Sequence, residues 1–95
     1  MYAVTFDIDT NCLKEQFGDI NIANDVYTKI KKFMTSNGFE WKQGSVYFGD
    51  ETINAVTCVT TVQRLAIEVP ALTACVKDIR MLKIEEYNDL LPAIR

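Results

Sequence analysis

The order in which strand-like and helix-like segments follow one another constrains the fold of this chain most. Residues 1–8 alternate between apolar and polar side chains, which indicates a half-buried strand. Residues 9–20 are rich in polar and turn-forming side chains, so we expect a loop with room for one turn of helix over Cys12–Gln16. From about Asn21 to Asn37 the apolar residues recur at helical spacing, and Asn37-Gly38 is a typical helix end. The inner face of this predicted helix consists of Ile22, Val26, Ile30, Phe33 and Met34.

The remaining residues predict a hairpin, a second helix, a last strand and a tail. Phe39–Lys42 and Ser45–Phe48 are expected to form the hairpin, turning through Gln43-Gly44. Asp50 is expected to cap the helix, which runs to about Glu68, before Pro70 and a turn over 71–75. The expected inner stripe of that helix consists of Ile53, Val56, Val59, Thr60 and Gln63. Val76–Lys83 has the pattern of a long strand, and residues 85–94 form a short amphipathic tail.

This β-α-β-β-α-β order predicts an α+β fold of the ferredoxin-like kind. Such a fold has an antiparallel four-stranded sheet with two helices on one face, here followed by a short C-terminal tail. We expect strands 1 and 3 to lie parallel in the centre, and strand 4 to pair antiparallel with strand 1. Ninety-five residues predict a single domain spanning 1–95.

The face of the sheet away from the helices is where the sequence predicts a site. Alternation along the strands assigns five polar side chains to this face: Asp7, Ser45, Tyr47, Asp78 and Arg80. Because strands 1 and 4 run in opposite directions, the end of strand 1 should meet the start of strand 4. Two carboxylates that meet there could bind a divalent cation or share a proton. Alternatively, the open face is a dimer interface whose polar groups pair with the arginine or with water.

Composition narrows the chemistry that this site can perform. The chain has no histidine, so acid–base catalysis would need carboxylates, tyrosines, lysines, cysteines or a bound metal. A net charge of −3 argues against bulk non-specific binding of nucleic acid, but it does not exclude contact with one phosphate.

Cysteine usage and hydropathy predict a cytoplasmic, soluble protein. Cys12, Cys58 and Cys75 show no paired spacing, so reduced thiols are expected. The N-terminus alternates and carries aspartates, unlike a signal peptide, and no apolar run approaches the ~20 residues that span a membrane.

Three blocks of the sequence carry a resemblance to a known family. They are MYAVTFDID at the start, GFEWKQGSVYFGD in the middle and VKDIRMLKIEEYNDL near the end. In this order and spacing they resemble the virulence-associated protein D (VapD) family, which is similar in fold to the small CRISPR-associated endoribonucleases. The resemblance implies a homodimeric endoribonuclease that acts as a toxin-like component, in some bacteria beside a small antitoxin protein. It also implies catalytic roles for Asp7, Ser45 and Asp78.

Two routes of RNA cleavage are open to such a site. In one, the 2′-hydroxyl is the nucleophile, and the route needs a carboxylate or tyrosine as base and a cation to stabilise the pentavalent phosphorane. Asp7 would be the base, Asp78 its partner and Arg80 the phosphate clamp, with Ser45 or Tyr47 as hydrogen-bond donor. In the other, Asp7 from both subunits holds Mg²⁺, which activates a water. A third hypothesis, of a different class, is a non-catalytic dimeric module that binds a regulatory partner.

Two groups of side chains outside this face have both a structural and a functional interpretation. Trp41 and Phe39 could stack on bases, or simply pack at the sheet edge or in a dimer contact. Lys29, Lys31 and Lys32 could meet RNA phosphates, or form an ordinary solvated helix face.

Overall fold

The computed structural model describes residues 1–18 and 20–95, and the side chains of residues 20–23 are left aside. The predicted inner-face residue Ile22 therefore lies outside the described side chains. The elements in chain order are β1 (Tyr2–Ile8), α1 (Thr10–Phe17), α2 (Ile20–Ser36), β2 (Phe39–Gln43), β3 (Val46–Gly49), α3 (Ala55–Glu68), α4 (Pro70–Cys75), β4 (Val76–Lys83) and a 3₁₀ turn at Leu91–Ala93. The predicted α+β, ferredoxin-like fold class is confirmed.

The four strands form one sheet in the order β2-β3-β1-β4. Each neighbouring pair is antiparallel, including β1 and β3, so the predicted parallel centre is wrong. The connection through α2 leaves β2 parallel to β1, and the β2–β3 hairpin then reverses the chain. Because β3 lies between β2 and β1, it runs opposite to both of them.

The core lies between the sheet and the two long helices. From β1 it takes Val4, Phe6 and Ile8, as the alternation predicts. From α2 it takes Val26, Ile30 and Met34, with Phe33 packed against them. Burying a side chain of this size contributes about 1.5–3 kcal/mol to the free energy of unfolding. The helical stripe therefore holds α2 on the sheet and fixes the end of β1 beneath it.

A complete helix, α1, occupies most of the segment predicted as a loop. Asp9 caps its first turn, because its Oδ1 accepts hydrogen bonds from the backbone N–H groups of Asn11 (3.0 Å) and Cys12 (3.2 Å). Leu13 anchors the helix in the core. The loop prediction is wrong because this N-cap outweighs the polar composition of the segment; residue 19 of that segment falls outside the described residues.

Helix α3 begins later than predicted, and its inner face differs. Asn54, rather than Asp50, is the N-cap, and it forms a reciprocal capping box with Thr57. Asp50 instead accepts a hydrogen bond from the backbone N–H of Thr52 at 2.8 Å. The buried stripe is Cys58, Thr61 and Leu65.

Most of the predicted inner stripe of α3 is therefore wrong. Val56 and Val59 are exposed by 73% and 48%, while Ile53 is buried but precedes the helix. After α3, the turn expected near residues 71–75 is the short helix α4. No helix within the described residues has both the length and the apolar character needed to cross a membrane.

The C-terminal tail packs on the face of the sheet opposite the helices. The ring of Tyr87 meets the ring of Phe48 edge-on, with 5.3 Å between centroids. On the same face Ala3, which pairs with Phe48 and Leu82, is completely buried. On this face the Asp7 end is exposed, whereas at the other end Ala3 is buried and its neighbour Leu82 remains 45% exposed.

Candidate active site

Asp7 and Asp78 form the centre of the candidate site. They are direct partners in the antiparallel β1–β4 ladder, which confirms that these two aspartates meet. Directly opposed side chains on one face have their Cβ atoms about 4.5–5.5 Å apart. The ladder is irregular immediately after Asp7, between Asp7 and Ile8, and both carboxylates are exposed to solvent. An exposed pair of acids at an irregular strand end can meet a substrate in solution.

Arg80 supplies the positive charge beside this pair. Its Nε donates hydrogen bonds to Oδ1 (3.1 Å) and Oδ2 (3.0 Å) of Asp78. Arg80 also pairs with Thr5 across the ladder, so it lies on the same face as Asp7 and Asp78, as predicted. The guanidinium has further N–H donors in a planar fork, and this geometry suits a phosphate.

Ser45 lies beside the same end of β1, although not in a strand. It belongs to the β2–β3 turn with Gly44, whose φ of +48° lies in the left-handed region that favours glycine. The carbonyl oxygen of Ser45 accepts a hydrogen bond from the backbone N–H of Phe6 at 3.1 Å. Ser45 therefore lies beside Phe6, the residue before Asp7, and lines the helix side of the sheet together with Tyr47. The predicted turn at Gln43-Gly44, the assignment of Ser45 to the strand and its predicted place on the open face are wrong.

The predicted position of Tyr47 is also wrong. Tyr47 pairs with Val4, is only 2% exposed and lies on the helix side of the sheet. Its ring stacks with that of Phe6, with 6.1 Å between centroids and 13° between planes. Burial raises the pKa of the Tyr47 phenol above its usual value.

The reason for this error is the period of two along a strand. The turn falls one residue later than predicted, and a register shift lies between Trp41 and Gln43. A slip of one residue moves every side chain of a strand to the other face. Val46 and Phe48 consequently occupy the face on which Ser45 and Tyr47 were expected.

A disulfide bond lies next to the site. Cys12 of α1 and Cys75 of α4 are bonded, with 5.5 Å between their Cα atoms. The expectation of reduced thiols is therefore wrong for these two residues, while Cys58 is a buried free thiol. The pairing was missed because the two cysteines are 63 residues apart in sequence and only the fold brings them together.

The site offers carboxylates for proton transfer more readily than for holding a resident metal ion. Within residues 1–18 and 20–95, no group of three or more cysteine, aspartate or glutamate side chains converges on one point. Both oxygens of Asp78 already accept from Arg80. Among the described residues, Asp7 has no ion-pair partner, and it lies beside the Arg80–Asp78 pair.

The similarity of this chain to known proteins extends over the residues that form the site. The family model of CRISPR associated protein Cas2 matches residues 1–89. The "Endoribonuclease VapD homolog" of Helicobacter pylori is 66% identical over 95 residues, which are 100% of this chain and 97% of that protein. The "Endoribonuclease VapD 2" of Riemerella anatipestifer is 55% identical over 94 residues, 99% of each chain. The "Endoribonuclease VapD" of Dichelobacter nodosus is 33% identical over 95 residues, 100% of this chain and 98% of that one.

Proposed function

Since this chain belongs to the VapD proteins of the CRISPR-associated Cas2 family, we infer that it is an endoribonuclease that cleaves phosphodiester bonds within RNA. The observation that carries this inference is the full-length similarity to relatives named for that activity, at up to 66% identity. The aligned length covers all four strands, including both strands that carry the aspartate pair.

We place the reaction at the exposed end of the β1–β4 ladder. Asp7 acts as the general base, because it is an exposed carboxylate without the arginine contact that Asp78 makes. Arg80 binds the scissile phosphate and stabilises the charge that develops on it. Asp78 holds the Arg80 guanidinium in place, and so acts as a positioning residue.

The 2′-hydroxyl of the RNA is the proposed nucleophile. Its oxygen attacks phosphorus while its proton passes to a carboxylate oxygen of Asp7, and the bond from phosphorus to the 5′-oxygen breaks. The leaving 5′-oxygen takes a proton from water. The products are a 2′,3′-cyclic phosphate and a 5′-hydroxyl, and Asp7 then returns its proton to solvent.

Ser45 is proposed to hydrogen-bond the substrate through its hydroxyl where the RNA passes over the β2–β3 turn, since Ser45 lines the helix side of the sheet and not the face that carries Asp7. Tyr47 does not reach the open face, because its ring is buried on the helix side of the sheet. The neighbouring backbone contact from Phe6 to Ser45 fixes the turn on which the serine sits.

A magnesium-dependent route would have to use Asp7, because Arg80 already engages both oxygens of Asp78. Mg²⁺ is usually held by one or two carboxylates together with water and substrate phosphate, and the described residues of one chain bring no group of three acids together. Two copies of Asp7 facing each other across a dimer axis would be the alternative donor set. We therefore propose the metal-free route and derive no step through a cation.

We further propose that the protein works as a homodimer and as the toxin-like member of a pair with a small antitoxin protein in the cytoplasm. Support comes from exposed apolar residues, including Val56, Ile67 and Met81, because such side chains suit protein contacts. Strand β4 is also an edge strand of the sheet, with a free side for pairing. A cytoplasmic location suits an RNA substrate, and there the Cys12–Cys75 bond would be open to reduction.

The function is tested by incubating purified protein with an end-labelled RNA of mixed sequence. Wild-type protein is compared with Asp7→Asn, and with Asp25→Asn as a matched control for loss of one acid. Asp25 is a suitable control because it lies on α2, where it forms an exposed ion pair with Lys29 at 3.1 Å. Each reaction is run with Mg²⁺ and with EDTA.

We expect wild type and Asp25→Asn to cleave equally, with and without EDTA, and Asp7→Asn to be inactive. An RNA of the same sequence with 2′-O-methyl sugars should resist cleavage, since it lacks the nucleophile. Equal cleavage by Asp7→Asn would refute the role of Asp7. Loss of cleavage in EDTA would replace the metal-free route by the one with two Asp7 carboxylates on Mg²⁺.

A further inference from the structure

A solvent-open cavity with both apolar and polar lining groups lies between α2 and the β2–β3 hairpin. Its volume is about 430 Å³, within the range of about 300–1,000 Å³ that is usual for small-ligand sites. Among its lining residues are Asn24, Thr28, Lys31, Trp41, Ser45 and Tyr47. The wall thus combines an aromatic ring, a cation, and amide and hydroxyl groups, which are the groups that bind an unpaired nucleotide.

The Trp41 ring lines this cavity in an orientation fixed by a hydrogen bond. Its Nε1 donates a hydrogen bond to the carbonyl oxygen of Gly44 at 2.8 Å, which fixes the orientation of the indole. The ring remains 42% exposed, whereas the neighbouring aromatic Phe39 is buried in the core. Of the two aromatic residues that the sequence offered for base stacking, Trp41 is therefore available and Phe39 is not.

Lys31 covers one face of the indole. Its Nζ lies 4.3 Å from the ring centroid, a cation–π contact. At an exposed site a cation–π contact changes the equilibrium constant for forming the contact by about two- to fivefold. Stacking of a base on an aromatic ring raises binding affinity more, by about five- to 150-fold. A base can therefore displace the ammonium from the ring, and the flexible lysine can follow the phosphate of that nucleotide.

The cavity also adjoins the proposed active site. Ser45 lines it, and the Ser45 carbonyl accepts the hydrogen bond from Phe6, the residue before Asp7. Trp41 pairs with Tyr47 and so lies on the helix side of the sheet, whereas Asp7 lies on the opposite side. An RNA strand that contacted both Trp41 and Asp7 would pass around the end of the sheet, over the Gly44-Ser45 turn.

We propose that this cavity binds a single unpaired nucleobase of the RNA substrate, stacked on Trp41, with Lys31 on the adjoining phosphate. The proposal rests on the proposed endoribonuclease function and adds a binding subsite to it, which the RNA reaches by bending over the β2–β3 turn. Bases in a continuous duplex cannot enter the cavity, so paired RNA should be a poor ligand.

Trp41 is the sole tryptophan of the chain, so its fluorescence reports on the cavity directly. Asp7→Asn protein, which should not consume its ligand, is titrated with an eight-nucleotide single-stranded RNA of mixed sequence. The same sequence as a blunt duplex is the control ligand. We expect saturable quenching by the single strand and at least tenfold weaker binding of the duplex.

Variants are compared by fluorescence anisotropy of the labelled single strand, again on the Asp7→Asn background. Lys31→Ala and Trp41→Ala should each weaken binding about tenfold, and Trp41→Phe should retain most of it because phenylalanine can still stack. Lys32→Ala is the matched control, since it removes the adjacent lysine of the same helix, which does not line the cavity; it should change binding by less than about twofold.

The outcomes separate this proposal from the proposed function. Quenching without any cleavage by wild-type protein would support the base site and remove the nuclease function. Cleavage by wild type with no quenching, and with Lys31→Ala binding as tightly as Lys32→Ala, would overturn the base site and leave the nuclease intact. A change of the Trp41 spectrum on diluting the protein without RNA would also overturn it, because a second copy of the chain would then cover the ring.

Discussion

Asp7 and Asp78 face each other directly across the β1–β4 ladder, so two carboxylates leave the exposed face of the sheet side by side. Like charges in this relationship destabilise a sheet, by up to about 1 kcal/mol. Arg80, bonded to both oxygens of Asp78, offsets part of that repulsion. A pair of residues that lowers the stability of the fold and is exposed to solvent is expected at a functional site rather than among residues that support the fold.

Neutralising Asp7 should therefore abolish RNA cleavage without lowering the stability of the fold. Asp7→Asn removes one of two opposed charges, so we expect its free energy of unfolding in urea to equal or exceed that of wild type by up to about 1 kcal/mol. RNA cleavage should nevertheless be lost. A destabilisation of more than about 1 kcal/mol would mean that Asp7 supports the fold, and that the loss of activity says nothing about chemistry.

Arg80 should contribute through binding of the phosphate. Arg80→Ala is expected to lower kcat/KM for RNA about 10- to 150-fold, because hydrogen bonds to charged groups contribute about 1.5–3 kcal/mol. Arg80→Lys keeps the charge without the planar fork and should fall between wild type and Arg80→Ala. Lys83→Ala is the control, since Lys83 lies on the same strand and pairs with Glu85 at 3.5 Å. Equal losses for Lys83→Ala and Arg80→Ala would indicate a general charge effect.

Tyr47 should matter for stability at alkaline pH and not for cleavage. Burial raises the pKa of its phenol in the folded protein, so the unfolded chain loses this proton first. The resulting stability is fully present below about pH 10 and is lost as pH rises through the folded pKa. Burial raises the pKa of the Cys58 thiol in the same direction, so the Tyr47 contribution must be isolated by difference.

Tyr47→Phe provides that difference, because the ring that stacks on Phe6 is retained. Chemical unfolding at pH 8 and above pH 10 should show a smaller loss of stability for the variant than for wild type. Its rate of RNA cleavage at neutral pH should stay within about threefold of wild type. An identical loss of stability above pH 10 in wild type and Tyr47→Phe would contradict a raised pKa of the buried phenol.

The Cys12–Cys75 bond should be a major source of stability. It spans 63 residues of sequence, and closing a loop of that length contributes about 4 kcal/mol by constraining the unfolded chain. Reduction should lower the free energy of unfolding by an amount of this order, and a reductant should have no such effect on Cys12→Ala. Without reductant, thiol titration of the unfolded chain should find Cys58 alone; titration of all three cysteines would contradict the bond.

The sequence predicted β1, α2 and β4 nearly to the residue because each carries a strong hydrophobic period. The meeting of Asp7 with Asp78 followed from those strands alone, since β1 and β4 are neighbours in this topology. Alternation also placed Asp7, Asp78 and Arg80 on the correct face.

The face on which Tyr47 lies and the start of α3 depend on contacts that a local sequence pattern does not reveal. Tyr47 was assigned to the wrong face because both faces of β3 are apolar, and Phe48 is accommodated on the outer face by Tyr87 from the distant tail. The start of α3 was misplaced because Asp50 and Asn54 are both good caps, and the capping box with Thr57 favours Asn54.

The central claim is that Asp7 and Asp78 form one site, and a double-mutant cycle on RNA cleavage tests it most directly. We expect Asp7→Asn to lower kcat/KM about 100-fold or more, which is typical of removing a proton-transfer group, and Asp78→Asn to lower it about 10- to 150-fold, no more than Arg80→Ala, because Asp78 acts through Arg80. Because the two act as a unit, the double variant should be no more than a few-fold slower than the slower single variant. A loss in the double variant equal to the product of the two single losses, or a wild-type rate in either single variant, would contradict the account.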